Sequence, residues 1–282
     1  MTALLSTEGI MKAYGGVQAL NGAAVAVEEG TVAGLIGPNG SGKTTLFNVI
    51  TGYERPDAGQ VWFDGHPITG LAPDKVFAAG IGRTFQLTRI FPRLTVMENM
   101  LVAAQARERP KNPLAWLGRS AWTQHRRHAA ELLGFVGIER HADILAGSLS
   151  YGQRKLLELA YVLVADPAVI LLDEPAGGVN PTLINLIADR IRQLNAEQGK
   201  TFLIVEHNME FVMGLCSVIT VLESGADVVS GAPDIIRTDK RVLDAYLGTD
   251  LDEDEDEDED APGPGAAAGP GAGTGPTAEE GR

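Results

Sequence analysis

Hydrophobic residues follow two different spacings along the chain, and these separate strand-like segments from helical ones. In the first 64 residues, apolar and polar positions alternate in short runs, such as residues 24–28 and 61–64, between glycine and asparagine residues. This alternation predicts short strands joined by turns, and hence an antiparallel β layer. Residues 32–36 are continuously apolar, which predicts a buried strand.

Helical spacing follows that buried strand and dominates the middle of the chain. Leu46, Val49 and Ile50 recur at three- and four-residue intervals, which predicts a helix that Gly52 ends. From about residue 94 to residue 164 the helical pattern continues, and we interpret this stretch as a helical insertion. Its two apolar faces contain Ala129, Leu132, Leu133 and Val136, and Leu156, Leu159, Ala160 and Leu163.

Strand patterns return at residues 169–172 and 201–205. The helix between them has Pro181 in its first turn. Its core side contains Ile184, Ile187, Ile191 and Leu194. Strands that alternate with helices predict an α/β fold with a mainly parallel sheet covered on both faces.

The composition is that of a globular protein. The chain has 282 residues, 44% of them hydrophobic, but no apolar run approaches the roughly 18 residues that a membrane-spanning helix needs. The first 14 residues lack the pattern of a signal peptide, and Cys216 is the only cysteine. We therefore expect a cytosolic chain without a disulfide or a multi-cysteine metal site.

The net charge of -14 is concentrated at the C-terminal end. Residues 250–282 contain 12 acidic residues and 1 basic residue, which leaves 25 acidic and 22 basic residues in the rest. This segment, an Asp/Glu run followed by Ala, Gly and Pro, predicts a disordered tail, although the acidic run could also bind cations or a basic partner. The nearly balanced remainder argues against nucleic acid as a partner.

A glycine-rich segment lies between the predicted strand at residues 32–36 and the helix after it. It satisfies G-x-x-x-x-G-K-[ST] in the strand-to-helix context that this phosphate-binding pattern requires. We expect backbone N–H groups to surround a phosphate, Lys43 to reach the β and γ phosphates, and Thr44 to ligate magnesium. The alternative is a structural glycine turn capped by Ser41. The segment consists of Gly37, Pro38, Asn39, Gly40, Ser41, Gly42, Lys43 and Thr44.

Asp173 and Glu174 follow the apolar run at residues 169–172, where a ligand site at a sheet edge is expected. Asp173 could hold magnesium through water, and Glu174 could take a proton from an attacking water or orient it. The alternative is an acidic turn before a helix.

Ser150 directly precedes another amphipathic helix, and Gln153 lies in its first turn. Their spacing predicts a capping box, in which each side chain bonds the backbone N–H of the other. The same helix N-terminus, with Gly152, could also receive a γ-phosphate supplied by another subunit. His125 and His128, among arginines, fit a solvated helix face better than a metal site.

Six segments occur in the order found in ABC ATPases, and the chain resembles that family over about residues 4–248. Tyr14 resembles the adenine-stacking position, residues 37–45 the Walker A loop with Thr45, and Gln86 in R-T-F-Q the Q-loop. L-S-Y-G-Q at Ser150 resembles the signature, I-L-L-D-E-P the Walker B motif, and His207 in V-E-H the H-loop.

The resemblance implies a P-loop NTPase (RecA-like) core, an α/β fold, with an antiparallel β subdomain and an inserted helical subdomain at about residues 94–164. These would form one ABC ATPase domain over residues 1–249, followed by the tail. It also implies a head-to-tail dimer that hydrolyses ATP between Walker A of one subunit and the signature of the other.

The implied ligands are ATP and Mg²⁺. Tyr14 would stack on adenine, Gln86 would sense magnesium and contact membrane subunits, and His207 would contact the γ-phosphate. The nucleotide would also be bound by the Walker A loop and by Ser150, Gly152 and Gln153. Magnesium would be bound by Thr44, Gln86 and Asp173, and the catalytic residues would be Glu174, His207 and Gln86.

Two positions depart from the family pattern. Tyr151 occupies a glycine position of the signature, and Asn180 replaces the usual acid of the D-loop while also being a plausible N-cap before Pro181. Since Ser150 and Gly152 remain, we expect the signature to function.

Further segments resemble the LivG-type ATPase of branched-chain amino-acid importers. They are F-Q-L at residues 85–87, L-T-V-M-E-N-M-L at 94–101, E-P-A-G-G-V-N-P at 174–181 and A-Y-L-G at 245–248. This implies two membrane permease subunits, a second, LivF-type ATPase or a second copy, an extracytoplasmic solute-binding protein, and a peripheral location on the cytoplasmic face of the cell membrane. Importers of urea or short amides share these motifs.

Two other classes of protein fit the sequence less well. A soluble ABC ATPase acting on ribosomes or DNA usually has two cassettes or long coiled coils, and this sequence has neither. A different P-loop enzyme, such as a GTPase, would require the signature and H-loop to be coincidences, and no N-K-x-D motif is present.

Overall fold

The computed structural model describes residues 3–84, 90–107 and 119–243. Within these ranges the chain forms ten strands and eight α-helices. The strands are β1 (Leu5–Tyr14), β2 (Val17–Val27), β3 (Val32–Ile36), β4 (Ala58–Phe63), β5 (His66–Pro67), β6 (Ile81–Arg83), β7 (Val169–Asp173), β8 (Thr201–Val205), β9 (Val218–Glu223) and β10 (Ala226–Gly231). The helices are α1 (Lys43–Ile50), α2 (Pro73–Ala79), α3 (Val96–Arg107), α4 (Arg119–Val136), α5 (Tyr151–Leu163), α6 (Pro181–Gln198), α7 (Met209–Leu215) and α8 (Pro233–Thr238).

Four of the strands form the expected antiparallel layer, in the order β2-β1-β4-β5. Its two main strands are longer than the sequence pattern predicts, because β1 and β2 pair over ten and eleven residues. The register shifts between Thr7 and Ile10, where Gly9 adopts φ +59°. A bulge of this kind breaks the apolar alternation, so the pattern suggests shorter strands than the chain forms.

The other six strands form a mainly parallel sheet in the order β10-β9-β3-β8-β7-β6, with β10 antiparallel to β9. The strands predicted at residues 32–36, 169–172 and 201–205 lie side by side at its centre. Successive side chains of these strands enter two different hydrophobic clusters. In β8, for example, Phe202 and Ile204 point to one face and Leu203 and Val205 to the other.

Each face of this sheet is covered by different elements. The first cluster contains buried residues of α3 to α8, including Leu133, Leu157 and Ile191. The second contains residues of the antiparallel layer and of α1, including Leu46 and Phe47. A helix-covered, mostly parallel sheet confirms the expected α/β fold.

The helices predicted from apolar spacing are present, with the expected ends. Pro181 is the first residue of α6, and Asn180 caps it by accepting a hydrogen bond from the Leu183 N–H at 2.9 Å. Gly52, at φ +76°, is the second residue after the end of α1 and follows the C-cap residue Thr51. The predicted helical stretch at residues 94–164 contains α3, α4 and α5, and within the described ranges no helix has the length and apolar character needed to cross a bilayer.

Several predictions fall outside the described residues. They concern Gln86 and the F-Q-L segment at residues 85–87, the part of the helical stretch at residues 108–118, the A-Y-L-G segment at residues 245–248, and the tail at residues 250–282.

Candidate functional site

The glycine-rich loop, residues 37–45, connects the C-terminal end of β3 to α1. Gly37 has φ +150°, and a Cβ there would overlap the carbonyl oxygen of Leu222. Gly42 has φ +98°, and a Cβ there would lie 2.5 Å from the Ala19 carbonyl oxygen. Both positions therefore require glycine, so the loop lies tightly against its own sheet and against β2. Asn39, Gly40 and Thr44 are exposed.

Lys43 is the first residue of α1, and its side chain folds back into this loop. Its Nζ donates hydrogen bonds to the carbonyl oxygens of Gly37 at 2.8 Å and Pro38 at 2.7 Å. Burial lowers the pKa of Lys43, and the negative charges of Glu174 and Asp173 act in the opposite direction. Burial disfavours the charged form of the ammonium, so a phosphate anion bound against Lys43 would stabilise that charged form.

Asp173, the last residue of β7, is only 3% exposed. Its Oδ2 lies 2.9 Å from Nη2 of Arg83, and its N–H donates to the Thr84 hydroxyl at 3.1 Å. Arg83 is the last residue of β6 and is itself held by Asn48 at 2.7 Å and Thr51 at 3.1 Å, both at the end of α1 or just after it. Arg83 is the first residue of the R-T-F-Q segment, and nothing in the sequence pattern indicated this buried ion pair.

Glu174 follows Asp173 with a backbone in the left-handed region, at φ +49°. Such a conformation is costly for a residue with a side chain and persists only where its surroundings hold it. Its N–H donates to the Val205 carbonyl at 2.9 Å, and its own carbonyl accepts from Lys155 Nζ at 3.0 Å. The strained backbone is therefore held by β8 on one side and by α5 on the other.

The Glu174 carboxylate contacts His207, the residue that resembles the H-loop histidine. Oε1 of Glu174 lies 3.2 Å from Nε2 of His207, and the His207 side chain is 41% exposed. The structure thus brings Lys43, Asp173, Glu174 and His207 together at the C-terminal ends of β3, β7 and β8. This is the edge at which parallel α/β sheets bind ligands.

Tyr14 lies at the end of β1, beside the same loop. Its side chain is 43% exposed, and Nζ of Lys12 lies 5.3 Å from the ring centroid. Partial burial raises the pKa of the Tyr14 phenol, as do the nearby carboxylates of Glu54 and Asp57, and the hydroxyl interacts with Thr45. The ring is therefore available beside the loop, as the stacking hypothesis requires.

The signature residues form the predicted capping box. The Gln153 N–H donates to Ser150 Oγ at 3.3 Å, and the Ser150 N–H donates to Gln153 Oε1 at 2.9 Å. A Cβ at Gly152 would overlap the Leu183 side chain, and the half-exposed ring of Tyr151 lies against Gly178.

Among the described residues, no hydrogen bond connects this signature segment to the glycine-rich loop. The helix α1 belongs to one hydrophobic cluster and α5 to the other, on opposite faces of the sheet. The glycine-rich loop and the N-terminus of α5 are therefore separate from each other in this chain, as a site shared between two subunits would need.

The residues present fit a nucleotide with a divalent cation. The exposed Thr44 offers a hydroxyl, Asp173 a carboxylate and Lys43 an ammonium. In the described part of the chain, no group of three or more His, Cys, Asp or Glu side chains is placed to hold a metal ion. Phosphate oxygens would thus complete the coordination of a cation here, as is usual for Mg²⁺.

The ABC transporter family matches residues 20–177 of the sequence. That match spans more than half of the chain and contains the loop, the signature and the Asp173-Glu174 pair. The chain belongs to the ABC transporter family. It is an ABC transporter ATP-binding subunit, an ATPase that binds nucleotide.

Individual relatives extend the comparison to most of this ABC ATPase. It is 40% identical to the high-affinity branched-chain amino acid transport ATP-binding protein BraF of Pseudomonas aeruginosa over 87% of the chain and 98% of the relative. It is 36% identical to LivG of Escherichia coli, which has the same description, over 87% of the chain and 98% of LivG.

Solved structures of this family have the same fold. The crystal structure of an ATP-binding cassette of an ABC transporter in its ADP conformation superposes with a TM-score of 0.77. It is 34% identical and covers 88% of this chain and 100% of its own. A dimeric bacterial ABC transporter cassette superposes with a TM-score of 0.72, at 26% identity over 81% and 98% of the two chains.

Proposed function

We propose that this chain hydrolyses ATP to drive the import of branched-chain amino acids, as one of two ATPase subunits on the cytoplasmic face of a membrane transporter. The observation that carries the hydrolytic role is the contact between Glu174 and His207 beside the Lys43 loop. The substrate class rests on the names of BraF and LivG, each of which is covered over 98% of its length by 87% of this chain.

Phosphoryl transfer depends mainly on positioning and on neutralising charge, which suits the groups at this site. Lys43 and the N–H groups of residues 37–45 bind the phosphates, and Tyr14 supports the adenine. Thr44 and Asp173, together with Gln86, hold Mg²⁺, which supplies charge neutralisation when bound. Glu174 accepts a proton from the attacking water or orients it, and His207 contacts the γ-phosphate.

Ser150, Gly152 and Gln153 act on the nucleotide of a second ATPase subunit. This assignment is supported by the capped but half-exposed start of α5, which has no hydrogen bond to the chain's own glycine-rich loop within the described ranges. It is supported also by the similarity to a cassette solved as a dimer. The second subunit is a LivF-type ATPase or another copy of this chain, and the pair binds two membrane permease subunits supplied by a solute-binding protein.

Replacement of Glu174 tests the hydrolytic role. In the assembled transporter, Glu174→Gln should bind ATP with unchanged affinity and lose turnover by about a hundredfold or more, because the amide cannot accept the proton. ATP binding is measured by titration and turnover by phosphate release. Undiminished hydrolysis by this variant would remove Glu174 from the catalytic role.

A second experiment tests the substrate class. The ATPase is co-purified with the membrane subunits and reconstituted in vesicles, and hydrolysis is measured with binding protein loaded with leucine or with urea. Stimulation by leucine alone supports the proposal. Stimulation by urea or a short amide assigns the transporter to that related class, and co-purification with ribosomes instead of membrane subunits would contradict an importer.

A further inference from the structure

Glu206 is a buried carboxylate. In the chain it lies between Val205, the last residue of β8, and His207, which contacts Glu174. It is 2% exposed, although it is charged and follows the apolar strand β8. Within the described residues it forms no ion pair with Lys, Arg or His. A buried charge needs strong partners, and this one has backbone N–H groups.

These N–H groups belong to two different loops. Oε1 of Glu206 accepts from the N–H of Ala176 at 2.5 Å, in the loop that begins with Glu174. Oε2 accepts from the N–H of His207 at 3.0 Å and from that of Asn208 at 3.1 Å. One carboxylate therefore joins the loop after β7 to the loop after β8.

The connection lies immediately behind the reacting groups. The Glu174 N–H is already bonded to Val205, so the Glu206 contact to Ala176 fixes the second end of the short segment that contains Glu174. The hydrogen bonds from the N–H groups of His207 and Asn208 to Glu206 fix the backbone of His207, which is the residue that contacts Glu174. Both sides of the 3.2 Å contact between Glu174 and His207 thus depend on one side chain.

We propose that Glu206 is a positioning residue for ATP hydrolysis, which holds His207 and Glu174 in register through its three backbone hydrogen bonds. The inference rests on the proposed function for the roles of Glu174 and His207. Glu206 itself is buried behind them and has no contact with the ligand in this assignment.

The substitution Glu206→Gln preserves the size of the side chain and disturbs the connection. An amide has one acceptor oxygen, so its NH₂ group must face the N–H groups of one of the two loops. In the assembled transporter, kcat should fall about ten- to a hundredfold, since misplacement of reacting groups by about 1 Å has effects of that size. The KM for ATP should change little, because the phosphate-binding loop is untouched. The matched control is Glu210→Gln, which removes an exposed carboxylate four residues further on.

A double-mutant cycle separates positioning from general loss of structure. Single-turnover hydrolysis of labelled ATP is measured for His207→Ala, Glu206→Gln and the pair, with thermal unfolding as a check on folding. If Glu206 acts by maintaining the contact between Glu174 and His207, which His207→Ala already removes, the second substitution adds little to the first. Losses that multiply, a rise in KM alone, or full turnover in Glu206→Gln would each overturn the inference.

Two other outcomes have to be distinguished from a failure of this inference: a variant that does not fold, and a failure of the proposed roles of His207 and Glu174. If Glu206→Gln does not fold, Glu206→Asp replaces it, because the shorter carboxylate retains the charge and cannot reach both loops, and the same cycle applies. If His207→Ala and Glu174→Gln both retain full turnover, the proposed function of these residues fails, which is a different result from an additive cycle.

Discussion

Arg83 and Asp173 form a buried ion pair, with Nη2 and Oδ2 2.9 Å apart, at the adjacent C-terminal ends of β6 and β7. The guanidinium is further held by Asn48 and Thr51, so the end of α1 is connected to the strand that carries Asp173. Asp173 is therefore oriented and neutralised before any cation is bound.

Removal of Arg83 should destabilise the fold. The substitution Arg83→Met keeps the apolar stem and leaves the Asp173 carboxylate buried without its partner, which typically costs about 3–5 kcal/mol. The measurement is the free energy of unfolding in urea at neutral pH. The control is Arg192→Met, since Arg192 pairs with Asp189 on the exposed surface and such pairs contribute about 0–1 kcal/mol. Equal losses in the two variants would contradict the importance of the buried pair.

The glycine-rich loop allows a second comparison, between two glycines of the same motif. Gly40 has φ +76° and open space around a Cβ, so Gly40→Ala should cost only about 1–2 kcal/mol for its left-handed backbone. Gly42→Ala adds a collision with the Ala19 carbonyl, whose backbone cannot move aside cheaply. We expect a clearly larger loss for Gly42→Ala in denaturant unfolding. Similar losses at both positions would indicate that the loop relaxes.

The sequence predicted the parts of the site that depend on local pattern. The central strands, the loop between β3 and α1, and the caps at Ser150 and Asn180 follow from apolar runs and from side chains that bond their own helix. These features involve residues a few positions apart, where spacing determines geometry.

Contacts between distant segments could not be predicted in this way. Arg83 and Asp173 are 90 positions apart, and the bond from Lys155 to Glu174 joins different elements. Glu206 gave one local signal, an acid directly after an apolar strand, but its bond to Ala176 depends on the neighbouring positions of β7 and β8 in the sheet.

The signature offers a test that separates folding from function. In Gly152→Ala, the new methyl would press on the end of the Leu183 side chain, which can rotate away, so the free energy of unfolding should change by about 1 kcal/mol or less. The ATPase activity of the assembled transporter should fall strongly, because the proposed contact with the nucleotide of the other subunit needs a close approach of the backbone at Gly152, and a side chain there would displace it. Activity is measured by phosphate release, with Gly152→Ala/Leu183→Ala as the control. Recovery of activity in the double variant would show that the glycine serves internal packing.

Cys216 supplies a reporter of folding that needs no substitution. It is the single cysteine of the chain, and burial raises the pKa of its thiol from 9.0 to about 12, with a further contribution from the Glu206 carboxylate. At neutral pH the thiolate fraction in the folded protein is therefore lower than in the unfolded chain by on the order of a thousandfold.

A thiol reagent should consequently label Cys216 only at the rate at which the chain opens. The pKa of the Cys216 thiol is higher in the folded protein than in the unfolded chain, so the thiol contributes to the stability of the fold below pH 9. This contribution is lost as the pH rises from about 9 through about 12. Labelling should be slow at pH 7, reach completion in denaturant, and accelerate above pH 9. Bound ATP should slow it further, since ligand binding stabilises the folded state. Rapid labelling of the native protein at pH 7 would contradict the buried position of the thiol.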